Sequence, residues 1–478
     1  MNRLLSFRRI QAITQGIWLK EPADPEREIR GGAFDTRHLN DAQIFFAWEG
    51  ENSDGHRYLQ QLKSSPIELI IVEKAVDAVG DKAILKVESS LKALHSLAKD
   101  LIAGFQGRIV NITGSSGKTT TKEWLRAVIN GHRVLLTNEG SFNNHIGCPI
   151  TILNLHRSHD LLVLEMGTSG MGEIDMLTDI APGDISVLLN VGHAHIGMFG
   201  SREKIYQAKL ELFNHTAEDA VIIVPAADTR LSGFQTEHKK LLFGADAPDF
   251  SWSRIDIDAR TKSQTLQFKS PWGEKQVTVP RLGEYVGDLL SAILAVCYAL
   301  GLCWEQIEPG LEELPQEKGR STFIDGKDGV LILDDTYNAN PESVVAMLKT
   351  ISSLDKARVV GVVGNLAELD EQMEQSAAVL LDNIPIGLTH LFLSGETGRL
   401  LFPMIRDRYP HLDCRLIDAI TDMIQVLSDM ADDGTVIGIK GSRTAHMERL
   451  VYALGGRMPR CHLTRCTKLM MCRHCAEL

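Results

Sequence analysis

The sequence predicts an α/β fold in three domains. These are a small mixed α/β N-terminal domain, a central parallel-sheet domain with a P-loop, and a C-terminal Rossmann-like α/β domain. Three observations carry this. The chain has 478 residues, at roughly 100–200 residues per domain. Apolar runs of strand length alternate with helical stretches in two successive series, as a buried parallel sheet flanked by helices requires. A Gly/Ser-rich segment ending in Gly-Lys-Thr lies between a strand pattern and a helix pattern.

In chain order, "IELIIVEKAV" reads as a strand and "SSLKALHSLAKDLIAGF" as an amphipathic helix, with Leu91, Leu94, Leu97 and Leu101 near helical spacing. "GRIVNITG" is a strand running into a loop, and "KTTTKEWLRAVING" a helix with a Gly stop. "DLLVLEMG", "DISVLLNVG" and "DAVIIVPA" are further buried strands. The second series starts near Gly319: "GVLILDDTY", the helix "NPESVVAMLKTISSL", then "ARVVGVVG", "LTHLFLSG" and "GTVIGIKG". The domains are drawn at residues 1–105, 106–317 and 318–478.

Composition excludes several classes. Hydrophobic residues are 44%, charged residues 23%, and the net charge is −12. No long basic run offers phosphate neutralisation, so nucleic acid is not the expected partner. The N-terminal stretch has no apolar core of secretory length. The longest uncharged apolar run, Leu289 to Trp304, is shorter than the roughly 18–20 residues of a membrane span and reads as a buried helix. A cytoplasmic monomer is expected. Cys148, Cys297, Cys303 and Cys414 are scattered, mostly in apolar surroundings, as buried reduced thiols would be.

"TGSSGKTTT", Thr113 to Thr121, has two residues between Gly114 and Gly117 where the general phosphate loop has four. Its strand–loop–helix setting favours phosphate binding, with backbone N–H groups and a helix N-terminus facing an anion. Lys118 would reach the outer phosphates and Thr119 would offer a hydroxyl to Mg²⁺. The alternative is a Gly/Ser turn with a solvated lysine. Other polar residues follow strand ends, where ligands of open α/β sheets bind: Glu165, His193, His195 and then Lys209. Taken singly they read as a surface acid, core histidines and a solvated lysine. Their joint placement raises a nucleotide–Mg²⁺ site.

"TGSSGKTTTKEWL", "GSFNNHIGCPITIL", "LEMGTSGMGEI", "NVGHAHIGMFGS", "AKLELF", "DDTYNANPES" and "KGSRTAHMERLV" resemble, in order, the motifs of the Mur ligase family, and are most similar to its MurF type. "DTRHLNDAQIFFAWEGENSDGH" looks like the start of that family's uridine-nucleotide domain. The likeness runs from Gly31 to about Leu454, and in this family the short loop is the rule. It implies an ATP- and Mg²⁺-dependent ligase of cell-wall precursor synthesis. A UDP-linked carboxylate becomes an acyl phosphate and is attacked by the amine of D-alanyl-D-alanine. By family position, Gly114, Ser115, Ser116, Gly117, Lys118, Thr119 and Thr120 hold phosphates, and Thr119, Glu165, His195 and a carbamylated Lys209 support Mg²⁺. Arg320 reaches the γ-phosphate, and Asn143 and Asn144 lie beside the acyl group. Asp335 binds ribose, with Asn338 beside the nucleotide. Tyr337, Asn340, Lys440 and Arg443 line the site from the third domain. Asp35, Thr36, Arg37, Asp54 and His56 face the uridine nucleotide.

The chain departs from the family in three places. Tyr285, Val286 and Leu289 stand where the family usually has His, Asn and a later Asn against adenine, which leaves three alternatives: Tyr285 stacking on the base, Asp288 bonding its exocyclic amine, or a relaxed choice of nucleotide. Asn365 stands where the MurF type usually has Asp. These departures keep open a paralogue with the same chemistry and a different acceptor, and beyond it a non-catalytic nucleotide-binding regulator. The tail "CHLTRCTKLMMCRHC" lies outside the family pattern. Cys461, Cys466, Cys472 and Cys475, with His462 and His474, have the residue types of a Cys₄ or Cys₃His zinc site, but only the final CxxC matches a common spacing. The alternative is a cysteine-rich tail without metal.

Overall fold

The computed structural model describes residues 4–50, 53–193, 196–366, 373–461, 472 and 475. The N-terminal sheet has the order Ile17–Lys20, Ala83–Lys86, Leu69–Val72, Ile44–Phe46, Gly32–Ala33. Its first pair is antiparallel and the rest parallel. Leu69–Val72 is buried at every position, as a continuous apolar run requires. The following helix, Ser90–Ala103, starts where the Ser89 hydroxyl accepts the Lys92 N–H at 3.3 Å. Its Leu94, Leu97 and Leu101 are buried and Leu91 packs at the margin of the same core.

The middle sheet has six strands, all parallel, in the order Lys239–Phe243, Thr216–Pro225, Gly183–Leu188, Arg108–Thr113, Leu161–Glu165, Leu135–Thr137. Arg108–Thr113 is therefore central. Its register pairs Thr113 with Leu188 and Ile112 with Glu165, so three strand ends open onto one place. One face of this sheet shares a continuous core with the N-terminal unit, from Leu5 to Leu231. The other face buries helix Glu284–Ala299.

That helix accounts for the long apolar run: every residue from Leu289 to Cys297 is buried, and Trp304 begins a separate helix. Among the described residues no helix is long and apolar enough to cross a membrane. The helix is covered by an element the sequence reading missed, an antiparallel sheet of Ser251–Asp258, Ser263–Ser270 and Gly273–Val279. In its central strand Gln264, Leu266 and Phe268 alternate inward. The Trp252 indole lies on the helix backbone and donates to Asp288 Oδ1 at 2.7 Å.

The C-terminal sheet runs Thr322–Asp325, Leu331–Asp335, Thr435–Lys440, Arg358–Val363, His390–Leu393, Asp413–Leu416. Only its first pair is antiparallel. Separate cores cover its two faces. Cys148 and Cys297 are buried, but Cys303 is exposed and Cys414 only half-covered, which corrects the expectation of four buried thiols. Cys303 sits at the solvent-facing start of helix Trp304–Glu312, and Cys414 lies on the last strand of its sheet.

Gly287 gives this packing a direct test. A Cβ there would stand 2.1 Å from Trp252 Cδ2. Gly287→Ala is expected to cost about 1–3 kcal/mol through overpacking, read as a lower urea midpoint with an unchanged slope.

Candidate active site

The phosphate loop leaves strand Arg108–Thr113, where Thr113 Oγ1 donates to the Met166 carbonyl at 2.7 Å. The N–H groups of Ser115 and Ser116 converge on one oxygen, Asn190 Oδ1, at 3.0 and 2.9 Å. Two amides aimed at one oxygen is the geometry an anionic oxygen needs. Gly117 has φ +81°, and a Cβ there would meet Leu289 Cδ2 at 2.9 Å, so glycine is required on both counts. Helix Lys118–Val128 follows, with Lys118 Nζ donating to the Gly114 carbonyl at 2.7 Å. Thr119 is buried and Thr120 half-buried in its first turn.

Beside the loop lies the best-developed polar network of the site. Glu165 is 1% exposed. Its Oε1 accepts from Thr119 Oγ1 at 3.1 Å and Asn143 Nδ2 at 2.6 Å. Its Oε2 has no hydrogen-bond partner among the described residues, with Lys122 Nζ 3.7 Å away. Lys122 is fully buried and donates to the carbonyls of Asn138 and Gly140 at 2.5 and 2.6 Å. Asn138 is paired with the Glu165 backbone in both directions, each bond 2.9 Å. Asn144 Oδ1 accepts the N–H groups of Ile146 and Gly147 and so shapes the turn into helix Gly147–Ile152.

Lys209 is 3% exposed in the last turn of helix Arg202–Leu210. Burial first, and then the Lys118 charge, push its amine well below its ordinary 10.5. His195 lies outside the described residues. His193 is described: its N–H and its Nδ1 meet Glu342 Oε1 at 2.9 and 2.5 Å. Burial pushes the Glu342 carboxyl up, but the hydrogen bond from His193 and further contacts outweigh it, and the net shift is down.

Glu342 belongs to the C-terminal unit, at the start of helix Pro341–Ser352. A second bridge joins Ser141 Oγ to Tyr337 OH at 3.0 Å. The Arg320 guanidinium lies 4.0 Å above the Tyr337 ring centroid and pairs with Glu317 at 3.0 Å; Arg443 lies 5.6 Å from the same ring. Lys440 Nζ donates to Asp335 Oδ2 at 2.5 Å and to the Asn338 carbonyl at 2.9 Å, and Ser321 N–H reaches Asp335 Oδ1 at 3.0 Å. Asn340 is a helix cap, accepting from Ser343 N–H at 2.8 Å.

The adenine question takes a definite form. Val286 and Leu289 are buried in the core and offer the base no polar atom. The Tyr285 ring is tilted against Trp124 at 6.5 Å, and burial drives its hydroxyl far up despite a hydrogen bond with Ser321. Asp288 is engaged by Trp252. Asn365 Oδ1 accepts from Thr397 N–H and Oγ1 at 3.1 and 3.0 Å.

In the N-terminal unit Asp35 binds Arg37, with bonds from 2.6 to 3.1 Å, and Thr36 Oγ1 donates to Gln61 at 2.9 Å. Asp54 joins His56 Nδ1 and Lys74 Nζ, both at 2.7 Å, and His56 Nε2 accepts the Glu73 N–H. Asp54, His56 and Lys74 edge a groove of about 480 Å³ that also includes Arg57, Gln60 and Asp77.

The zinc expectation for the tail falls partly outside the described residues. Cys466, His462 and His474 lie outside the described residues. Among the described ones, Cys461, Cys472 and Cys475 do not gather as a trio; Cys472 lies instead against His446 and Glu448, and Cys461 Sγ against Arg449 Nη1. Sequence reasoning also passed over Lys122, Asn138, Asn190 and Glu342. Lys122 follows Lys118 by one helical turn, a signal that could have marked it.

Comparison with known proteins places this geometry. The Mur ligase middle domain matches residues 112–298, and the Mur ligase glutamate ligase domain matches 319–443. A UDP-N-acetylmuramoyl-tripeptide–D-alanyl-D-alanine ligase of Bacillus subtilis is 30% identical over 447 residues, covering 91% of this chain and 95% of its own. The protein of that name from Escherichia coli is 30% identical over 434 residues, covering 88% and 92%. A crystal structure of MurF from Acinetobacter baumannii superposes with TM-score 0.82 at 30% identity, covering 95% of this chain and 99% of that one. MurF from Thermotoga maritima in complex with ADP gives TM-score 0.78 at 28% identity, covering 89% and 97%.

Two substitutions test the geometry. Lys122→Met strands two buried carbonyls and is expected to cost about 2–4 kcal/mol, seen by chemical denaturation, and to weaken nucleotide binding. Glu342→Gln keeps the shape but removes the charge facing His193. It is expected to lower kcat/KM about tenfold, the worth of one charge-assisted hydrogen bond.

Proposed function

Because this chain belongs to the Mur ligase family, we propose that it is a cytoplasmic, ADP-forming amide ligase that joins D-alanyl-D-alanine to a UDP-N-acetylmuramoyl-tripeptide in peptidoglycan precursor synthesis, acting as a monomer. In this reading residues 1–105 bind the UDP-linked substrate, 106–317 the ATP, and 318–478 complete the site. The observation that carries it is the buried Glu165–Thr119–Asn143 network abutting a loop whose amides converge on one oxygen.

The chemistry needs positioning and charge neutralisation rather than a protein nucleophile. An oxygen of the tripeptide's terminal carboxylate attacks the γ-phosphorus; the bond to the ADP oxygen breaks and an acyl phosphate forms. The amine of the dipeptide attacks that carbonyl carbon, loses a proton, and inorganic phosphate leaves. The amides of residues 114–119 and Lys118 hold the phosphates. Arg320, held by Tyr337 and Glu317, meets the outer phosphate from the C-terminal side.

The Thr119 hydroxyl and Glu165 Oε2, which has no hydrogen-bond partner among the described residues, fit Mg²⁺, which when bound would neutralise phosphate charge. His195, and Lys209 as a carbamate, complete its support in this reading. A depressed, buried amine is the form that adds to CO₂: the nitrogen lone pair bonds carbon, one proton leaves, and a neutral amine becomes an anion.

A second reading, the same chemistry with a different amine, is favoured by Asn365, whose side-chain oxygen is taken by Thr397.

The decisive assay gives the protein ATP, Mg²⁺ and UDP-MurNAc-tripeptide, with and without D-Ala-D-Ala, and follows phosphate release and product mass. Phosphate and the expected amide only with both substrates support the proposal. Turnover only with another amine moves it to the second reading. Lys118→Ala is expected to abolish turnover.

Lys209 has its own test. Its folded value lies below its unfolded one, so folding sheds a proton. The resulting penalty is full below the folded value and disappears as pH rises toward 10.5. In CO₂-free buffer Lys209→Met is expected to be inactive yet more stable than the parent at pH 7, with the gap closing as pH rises. With ¹³C-bicarbonate, the parent and not the variant is expected to show a carbamate carbon by NMR.

A further inference from the structure

Outside the nucleotide site, one cluster of metal-type side chains is closed off from water. His446, Glu448 and Cys472 are 1%, 5% and 8% exposed, and a ligand atom of each lies within 4.8 Å of the others. The chain brings them together from two segments. His446 and Glu448 flank the start of helix Glu448–Leu454, and Cys472 returns from the tail 26 residues later. Cys472 is held by its backbone as well, since its N–H donates to Glu448 Oε1 at 2.9 Å.

We infer that His446 Nδ1, the Glu448 carboxylate and the Cys472 sulfur form a structural zinc site that fastens the C-terminal tail to the third unit. Cys472 Sγ and His446 Nδ1 are 3.4 Å apart, and His446 Nδ1 and Glu448 Oε1 are also 3.4 Å apart. Around a tetrahedral zinc with bonds of about 2.3 Å to sulfur and 2.0–2.1 Å to nitrogen and oxygen, those edges are about 3.5 and 3.3 Å. The ligands therefore already stand at coordination spacing. The donor set, one thiolate, one imidazole and one carboxylate, suits a borderline-soft divalent ion rather than Mg²⁺ or Ca²⁺.

Charge supports the same ion. The Cys472 sulfur lies as a buried thiol against His446 Nδ1, and binding zinc costs it its proton. Zinc displaces that proton, and Zn²⁺ with one thiolate, one carboxylate and a neutral imidazole sums to zero, the least costly charge for a buried centre. Cys461 stands outside the trio, its sulfur against Arg449 Nη1 at 3.9 Å. The backbone adds an anchor: His446 sits at φ +51°, a left-handed conformation uncommon for a non-glycine residue, and its carbonyl accepts from Arg449 Nε at 3.1 Å.

This set differs from an all-tail Cys₄ centre, and the two are separable. The full-length chain, purified and dialysed against zinc and then metal-free buffer, is expected to retain one zinc by elemental analysis. Cobalt(II) substitution is expected to give a thiolate-to-cobalt charge-transfer band and tetrahedral d–d bands, which needs no variant and therefore no assumption about folding. Cys472→Ser and His446→Ala are expected to lose the metal while keeping the parent far-UV circular dichroism; Cys475→Ser is expected to keep it. A chain that retains no zinc and shows no cobalt–thiolate band overturns the site. So does a metal lost with Cys475→Ser but kept with His446→Ala, which would move it into the tail alone.

Discussion

The charge of Glu165 organises the site. It is a carboxylate at the end of a central strand, shut away from water, and such a group persists only when paired and hydrogen-bonded. Thr119 reaches it from the phosphate-loop helix, Asn143 from the loop after Gly140, and Lys122 stands behind. Asn138 locks that loop to the strand carrying Glu165. Removing the charge would leave Lys122 with Glu123 as its one carboxylate partner among the described residues and release the loop that presents Asn143 and Ser141. The parallel register is the deeper cause. Pairing Ile112 with Glu165 puts the acid one residue from where the phosphate loop begins.

The C-terminal unit meets this assembly through polar groups and through Leu282, Ile257 and Ala259, which pack into its core. His193 holds Glu342, Ser141 holds Tyr337, and two guanidinium groups share the Tyr337 ring. The cation–π contact and the ion pair with Glu317 together hold the Arg320 guanidinium over the Tyr337 ring. Lys440, Asp335 and Asn338 form a rigid polar corner at the ends of adjacent parallel strands. Residues named from motif position thus divide. Arg320 and Tyr337 stack on each other where Ser141 meets Tyr337, whereas Asn340 and Asn144 bond neighbouring backbone N–H groups.

Much of this was legible because buried parallel strands are written as unbroken apolar runs, and because a Gly-Lys-Thr loop between strand and helix has few other uses. The antiparallel sheet at 251–279 escaped because its strands are only half-buried and alternate apolar with polar residues among charges. Lys122 escaped because a lysine near the start of a helix is ordinarily solvated; only the fold shows it walled in by Glu165 and two carbonyls. The tail misled for a related reason. Four cysteines in one short stretch suggest one another as partners, whereas the side chains that meet Cys472 lie far upstream. Spacing in sequence says little about partners when the segment folds back onto a preformed surface.

The continuous apolar core running from Leu5 to Leu231 has a mechanical consequence. Separating the first sheet from the second would expose hydrocarbon along the whole seam, at roughly 25 cal/mol for each Å² uncovered. The third sheet has a smaller apolar seam of its own, where Leu282, Ile257 and Ala259 pack into its core. The strands that carry the phosphate loop and the N-terminal sheet therefore stand on one apolar body.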